Sequence, residues 1–282
     1  MTALRVLSAQ RRPRYVMGWI ALDWAAILLV VFAWGCLRGT AAEVPLAVLG
    51  MAVVGIQQHA LALWLHEGSH WLFFTDRRVN DAFTSVVLAA PLCVSLPGYR
   101  SRHFAHHQHL GTGQDTKRVA FTVIRGWQFP RFCVEVLLGG GFLRRAGEFY
   151  GTYEETGEKA YWWLPVAVAQ GLLFGLFSLL AKPEAYLLFW MLPLVTIKQL
   201  VAGLRAILEH QPLRGDPRGY VRPLEPTWWE HVVFFRAGFD YHWEHHQHPG
   251  IPCFNLKFVR DEAVHPRTSP TATETLWNIV RG

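Results

Sequence analysis

Four stretches of about twenty residues, each nearly free of charge, constrain this chain more than anything else in it. Residues 19–37 carry one charge, Asp23; residues 45–65 and 161–180 carry none; residues 185–204 carry one, Lys198. A helix needs about 20 apolar residues to cross a hydrocarbon core roughly 30 Å thick. Aromatic residues such as Trp19, Tyr161, Trp162 and Trp163 stand at the ends of these runs, where interfacial side chains gather. With 51% hydrophobic and only 17% charged residues, the chain lies on the apolar side of water-soluble domains. The expected fold is an all-α integral membrane protein with four transmembrane helices and a cytoplasmic histidine-rich helical cap, as a single domain over residues 1–282. No small-residue cleavage site follows Gly35, Cys36 and Leu37, and a second span comes at once, so the first run is expected to stay as an anchor.

Orientation follows from basic residues, which are retained on the cytoplasmic side in short loops. The N-terminal segment holds Arg5, Arg11, Arg12 and Arg14 without an acid, whereas the loops at 38–44 and 181–184 are short and nearly neutral. Both termini, residues 66–159 and everything after Arg205 are then expected on the cytoplasmic face. This requires that the apolar segment 82–97, short for a span and ended by Pro97 and Gly98, be re-entrant or interfacial rather than crossing. The net charge of +6 fits basic segments at a membrane surface and not nucleic-acid binding, since no basic stripe with interleaved aromatics occurs. The four cysteines lie far apart and form no CxxC pair.

Histidines supply the chemistry. The pattern H-x-x-H-H-Q-H occurs twice, at His103, His106, His107, Gln108, His109 and again at His242, His245, His246, Gln247, His248. Only 14 histidines are present in 282 residues, so the repetition calls for a common cause, and a metal is the simplest. Spacing of i, i+3, i+4 puts three imidazoles of each copy toward one side of a helix. His66 and His70, at the end of the second run, lie one turn apart, and His210 stands at the end of the fourth. His109 and His248 fall well round the helix from their neighbours and read as supporting or structural. His59, deeper in the second run, reads as a hydrogen-bonded interior residue; His231 and His265 read as structural or solvent-facing. Trp228-Trp229 and Phe234-Phe235 mark an expected interfacial helix.

The candidate ligands are therefore His66, His70, His103, His106, His107, His210, His242, His245 and His246. Nine imidazoles are too many for one ion with about four ligands and call for two metals; imidazole alone does not choose among iron, copper, nickel and zinc. The segment His66-Glu67-Gly68-Ser69-His70 also satisfies H-E-x-x-H, the zinc site of a metalloprotease, but that reading leaves both longer copies without a role. A metal transporter or sensor would carry polar residues along its spans, whereas here the histidines sit at their ends.

Taken together, HxxxH after the second span, HxxHH some 35 residues on, an isolated histidine closing the fourth span and a final HxxHH resemble the membrane fatty acid desaturase and hydroxylase family. The runs His245-His246-Gln247-His248-Pro249 and His109-Leu110-Gly111-Thr112 with Asp115 are similar to that family as well, and the resemblance spans roughly residues 19–260. It implies two iron ions held by the nine histidines, O2 as co-substrate, a lipid or acyl-chain substrate and an external electron donor of ferredoxin or cytochrome b5 type. Such a donor would dock on basic residues such as Arg100, Arg102, Lys117 and Arg118. Glu67, Asp76, Asp115, Glu209, Asp240 and Glu244 are available to accept imidazole N–H groups. The expected activity is fatty acyl desaturation, with lipid or carotenoid hydroxylation or ketolation as the alternative.

Overall fold

The computed structural model describes residues 3–117, 124–144, 163–211, 220–260 and 269–281. Arg118, Tyr161, Trp162, His265 and residues 145–160 of the expected cap lie outside the described residues. In chain order the helices are α1 (Ala3–Ala9), α2 (Pro13–Leu37), α3 (Glu43–Ser69), α4 (Arg77–Thr84), α5 (Leu96–His109), α6 (Gln128–Leu137), α7 (Trp163–Leu180), α8 (Glu184–His210), α9 (Trp228–Val233), α10 (His242–Gln247) and α11 (Ala272–Arg281). No strand occurs among the described residues. Four of the helices, α2, α3, α7 and α8, are long and apolar enough to cross a membrane, as the charge-free runs require. The chain divides into two compact units, one of Arg12–Tyr99 and Val136–Val201, the other of Met1–Arg11, Arg100–Glu135 and Ala202–Gly282.

In the first unit, α2 packs along α3, and the one acid of α2 is satisfied internally. Asp23 is fully buried and accepts the indole N–H of Trp64 at 3.1 Å, which gives a polar group in apolar surroundings a hydrogen-bond partner. Gly50 lets Val30 and Phe189 approach so closely that a Cβ there would lie 2.6 Å from Val30 Cγ1, the small-residue contact that brings apolar helices together.

Helix α8 is interrupted twice, by a π-turn at Leu187–Met191 and by a break at Thr196 (φ −119°, ψ −86°). The carbonyls loosened there find side-chain donors: Gln58 Nε2 donates to Trp190 O at 2.9 Å and Gln199 Nε2 to Leu194 O at 3.1 Å. An interrupted helix survives in apolar surroundings only when protein groups take up its backbone in this way.

The segment 82–97 is not one helix. It comprises the end of α4, a π-turn at Ser85–Ala89, a turn through Cys93 with φ 58°, and the start of α5. Gln170 of α7 donates to the carbonyls of both Ala90 and Pro91 while its own oxygen accepts from Tyr186 and Trp190.

The end of α3, which carries His66 and is capped by His70, is fixed from α4. Asn80 donates to Gly68 O at 2.8 Å and accepts from Phe73 N at 3.1 Å. The hydroxyl of Ser69 bonds back to His66 O at 2.6 Å.

The second unit is built from shorter pieces, and a buried carboxylate joins two of them. Glu230 closes a capping box with Thr227 at the start of α9. It also accepts from the backbone N–H groups of Ala272 and Thr273 and from the Thr273 hydroxyl at the start of α11. Trp228 stays exposed on α9, but Phe234 and Phe235 do not share its face and are buried. The helix stops at Val233, and a short 3-10 turn at Arg236–Gly238 with Ala237 in the left-handed region swings the chain inward.

Burial pushes the Glu230 carboxyl up, but hydrogen bonds from Thr273, Thr227 and Ala272 outweigh it and hold the group below its ordinary value of 4.5. Glu230→Gln therefore should lower stability by about 1–3 kcal/mol at neutral pH, because an amide cannot accept from all these donors. A depressed native pKa contributes stability that is present above the ordinary value and lost as pH falls through the native one. The gap between wild type and variant in thermal unfolding should accordingly narrow on acidification; a gap independent of pH would contradict the assignment.

Candidate metal centre

Seven of the nine candidate histidines fall in the second unit, on three short helical surfaces. Helix α5 presents His103, His106 and His107, the last turn of α8 presents His210, and α10 presents His242, His245 and His246. Their ring nitrogens gather in two groups. In one, His107 Nε2 lies 3.1 Å from His103 Nε2 and 3.1 Å from His245 Nε2. In the other, His242 Nε2 lies 2.9 Å from His210 Nε2 and 3.2 Å from His246 Nε2. His106 joins this second group, with one nitrogen each of His106, His210 and His246 within 4.8 Å of the others. Each HxxHH stretch is thus split, with its i, i+4 pair in one group and its middle histidine in the other.

Groups behind the rings fix which nitrogen is available. His106 Nδ1–H donates to Asp115 Oδ1 at 2.9 Å, and His210 Nδ1–H donates to the Tyr220 carbonyl at 2.9 Å. In each ring the Nε2 lone pair is then left for a ligand role. Asp115 is itself held by the backbone N–H groups of Gly111 at 3.0 Å and Lys117 at 2.8 Å.

Gly111 has φ +74°, and a Cβ there would fall 2.1 Å from the Tyr220 ring. Glycine is therefore required both by its left-handed backbone and by the ring stacked against it. The buried guanidinium of Arg222 donates to Leu208 O at 2.6 Å and Gln211 O at 2.5 Å, while its backbone N–H donates to Glu209 O at 2.8 Å. These bonds satisfy the open carbonyls at the end of α8 and hold the turn that carries His210.

Burial lowers His106 to about 4, with the Lys117 charge acting in the same direction against Asp115. Burial likewise carries His242 and His246 well below the ordinary 6.5, and neighbouring imidazoles add to the effect. For Asp115, burial acts upward but is outweighed by hydrogen bonds from His106, Gly111 and Lys117, so its carboxyl stays ionised. At neutral pH His106, His242 and His246 are therefore neutral imidazoles, the state that binds a metal.

The spacing fits as well. Imidazole nitrogens about 2.1 Å from one ion lie roughly 3.0–3.4 Å apart at octahedral or tetrahedral angles, and the measured separations of 2.9–3.2 Å match.

His66 and His70 belong to the other unit, where their rings sit one turn apart with centroids 5.3 Å from each other. Of the carboxylates expected to support imidazoles, Asp115 bonds His106. Asp76 instead caps α4 through Arg78 N and Val79 N. Asp240 lies 3.9 Å from His231, and Glu67 and Glu244 are buried.

Glu209, also buried, has Oε1 2.6 Å from Arg205 Nη2 and Oε2 3.5 Å from His242 Nε2. Within the second unit it shares a group of potential ligands with His210 and His242. Arg102 donates to the carbonyl of Thr116. His59 is buried in α3, and His109 and His248 are half-exposed. The Tyr220 carbonyl and the Arg222 cap went unread in the sequence; Gly111 was visible there within the run His109-Leu110-Gly111-Thr112, and Asp115 as an available acid.

Helices without strands among the described residues, four of them of span length, are compatible with a membrane protein, and the gathered imidazoles could hold metal ions. Residues 42–273 match the family model for fatty acid desaturase, and the chain belongs to that family of oxidoreductases. It is 26% identical to dihydrorhizobitoxine desaturase of Bradyrhizobium elkanii, over 88% of this chain and 75% of that protein. It is 28% identical to a beta-carotene ketolase of Paracoccus sp. (strain PC1), over 79% and 83% respectively. A sphingolipid delta(4)-desaturase/C4-monooxygenase of Homo sapiens is 29% identical, over 92% of this chain and 80% of that protein.

Proposed function

We propose that the protein is an O2-dependent di-iron fatty acyl desaturase. It would take two hydrogens from adjacent carbons of an acyl chain to leave a C=C bond. In this balance two electrons and two protons from outside join the two substrate hydrogens in reducing O2 to two waters. The observation that carries the reading is the convergence of seven histidines into two nitrogen-lined groups in a member of the fatty acid desaturase family.

His103, His106, His107, His210, His242, His245 and His246, together with His66 and His70, are proposed as the ligands. Bound iron would supply the O2 activation that no amino-acid side chain provides. The chain's own part is to keep the imidazoles neutral by burial, to direct Nε2 of His106 and His210 through Asp115 and Tyr220, and to seat the acyl chain among apolar helices. The site and both termini are assigned to the cytoplasmic face from the basic N-terminal segment. A ferredoxin or cytochrome b5 type donor would dock on basic residues including Arg100, Arg102 and Lys117.

A second reading, hydroxylation or ketolation of a lipid or carotenoid, is favoured by the relatives, which include a ketolase and a desaturase/monooxygenase. Both readings begin with abstraction of the same kind of hydrogen and part when a second hydrogen leaves or oxygen is inserted. Mass spectrometry of lipids from cells with and without the protein separates them. A product about two mass units lighter than its precursor is expected; one about sixteen heavier marks hydroxylation, and one about fourteen heavier marks ketolation. An unchanged lipid profile in cells supplied with a competent donor would count against both. Purified active protein that holds a single zinc ion and no iron would return the HExxH segment at residues 66–70 to consideration.

A further inference from the structure

One of the buried acids at the edge of the histidines lies within reach of their ring nitrogens. Glu209 precedes His210 in the last turn of α8 and is only 4% exposed. Its two oxygens have different surroundings. Oε1 lies 2.6 Å from Arg205 Nη2, and Arg205 Nη2 also donates to Phe239 O at 3.3 Å, so that side of the carboxylate is anchored. Oε2 lies 3.5 Å from His242 Nε2, and that nitrogen is itself 2.9 Å from His210 Nε2. A 3.5 Å separation is too long for a useful N–H···O bond. It is close to the roughly 3.4 Å that separates two donors, each about 2.1 Å from one ion, at a tetrahedral angle. The backbone of Glu209 is held too, by the Arg222 N–H on its carbonyl at 2.8 Å.

We infer that Glu209 binds metal through Oε2, giving the group of His106, His210, His242 and His246 one carboxylate oxygen beside its imidazole nitrogens. Charge supports the assignment. Neutral imidazoles do not offset the charge of an ion, and the nearby Arg205 guanidinium adds to it, so an ion buried there gains from a carboxylate in contact. Arg205 then acts as a positioning residue: it occupies Oε1 and leaves Oε2 for the metal, as groups behind carboxylate ligands commonly do. The inference rests on the metal-centre reading above and adds an oxygen ligand to it.

The test compares full-length wild type, Glu209→Gln and Glu209→Asp, purified in detergent and loaded with 57Fe(II). Bound iron, the Mössbauer spectrum and the iron-dependent rise in melting temperature are measured. Loss of a carboxylate ligand should remove about half of the iron in Glu209→Gln, or at least 10-fold in affinity at one site. The second Mössbauer component should disappear or shift, and the iron-dependent rise in melting temperature should shrink. Comparing metal-free melting curves separates the loss of the Arg205 ion pair from the loss of a ligand. Should the glutamine variant not be recovered folded, Glu209→Asp carries the test, since a shortened carboxylate ligand should alter the quadrupole splitting of one iron.

Full iron content with an unchanged spectrum in both variants would overturn the inference and reduce Glu209 to the counter-ion of Arg205. Wild type that takes up no iron would instead overturn the metal-centre reading itself.

Discussion

His106→Ala and His245→Ala are each expected to abolish turnover while removing iron from different places. His245 Nε2 faces His107 Nε2, which in turn faces His103 Nε2, so losing His245 breaks that group. His106 sits with His210 and His246, so its loss breaks the other. Each variant should therefore retain about one of two irons, with complementary Mössbauer components missing, and the double variant should retain none. Activity should fall below detection in both, because a centre needing two ions for O2 chemistry does not work with one. Small fold changes are expected, since each substitution removes a ring whose burial already costs desolvation. If His245→Ala kept full iron and turnover, the ligand assignment would be wrong. If both variants lost the same component, the division into two groups would be wrong.

That division shows what the sequence made legible and what it did not. Spacing of i, i+3, i+4 reads as one shared face, yet a 3.6-residue turn sets positions i and i+4 only about 40° apart and positions i+3 and i+4 about 100° apart. His103 with His107, and His242 with His246, are the narrow pairs; His106 and His245 are the offset members, and each joins the group of the other helix's narrow pair.

The spans were legible because hydropathy reports the stretch that avoids water. Of their ends, those at Leu37 and Leu180 were legible too, and others were not. Helix α2 begins at Pro13 and α3 runs to Ser69, since a helix stops where its hydrogen bonds stop and not where charge appears. The π-turn at Leu187–Met191 left no mark in hydropathy, because its side chains are apolar, and Gln58 takes up the Trp190 carbonyl there as Gln199 takes up that of Leu194 before the Thr196 break. Support from backbone was equally invisible: a carbonyl such as that of Tyr220 has no residue-type signature, so the partner of His210 appears only once residues 220–222 are placed beside the end of α8.

Asp115 is the supporting residue whose loss should be felt most after the proposed ligands themselves. Its Oδ1 accepts from His106 Nδ1 and Lys117 N, and its Oδ2 accepts from Gly111 N. It therefore orients an imidazole and closes the turn that follows α5. Asp115→Asn keeps the shape but replaces one acceptor oxygen with an N–H2 group, so a donor must then face a donor at Gly111 or at His106. It also removes the negative charge that makes the His106 ring a stronger electron donor.

Iron affinity at one site is expected to fall about 10–100-fold, as for other groups behind metal-binding imidazoles, with turnover falling in step at limiting iron and recovering in part at saturating iron. That partial recovery separates Asp115 from a ligand, since His106→Ala should not be rescued by added iron. Competition with a chromogenic iron chelator measures the affinity, and a variant as tight as wild type would mean that the 2.9 Å contact between His106 and Asp115 serves the fold of the 111–117 turn alone.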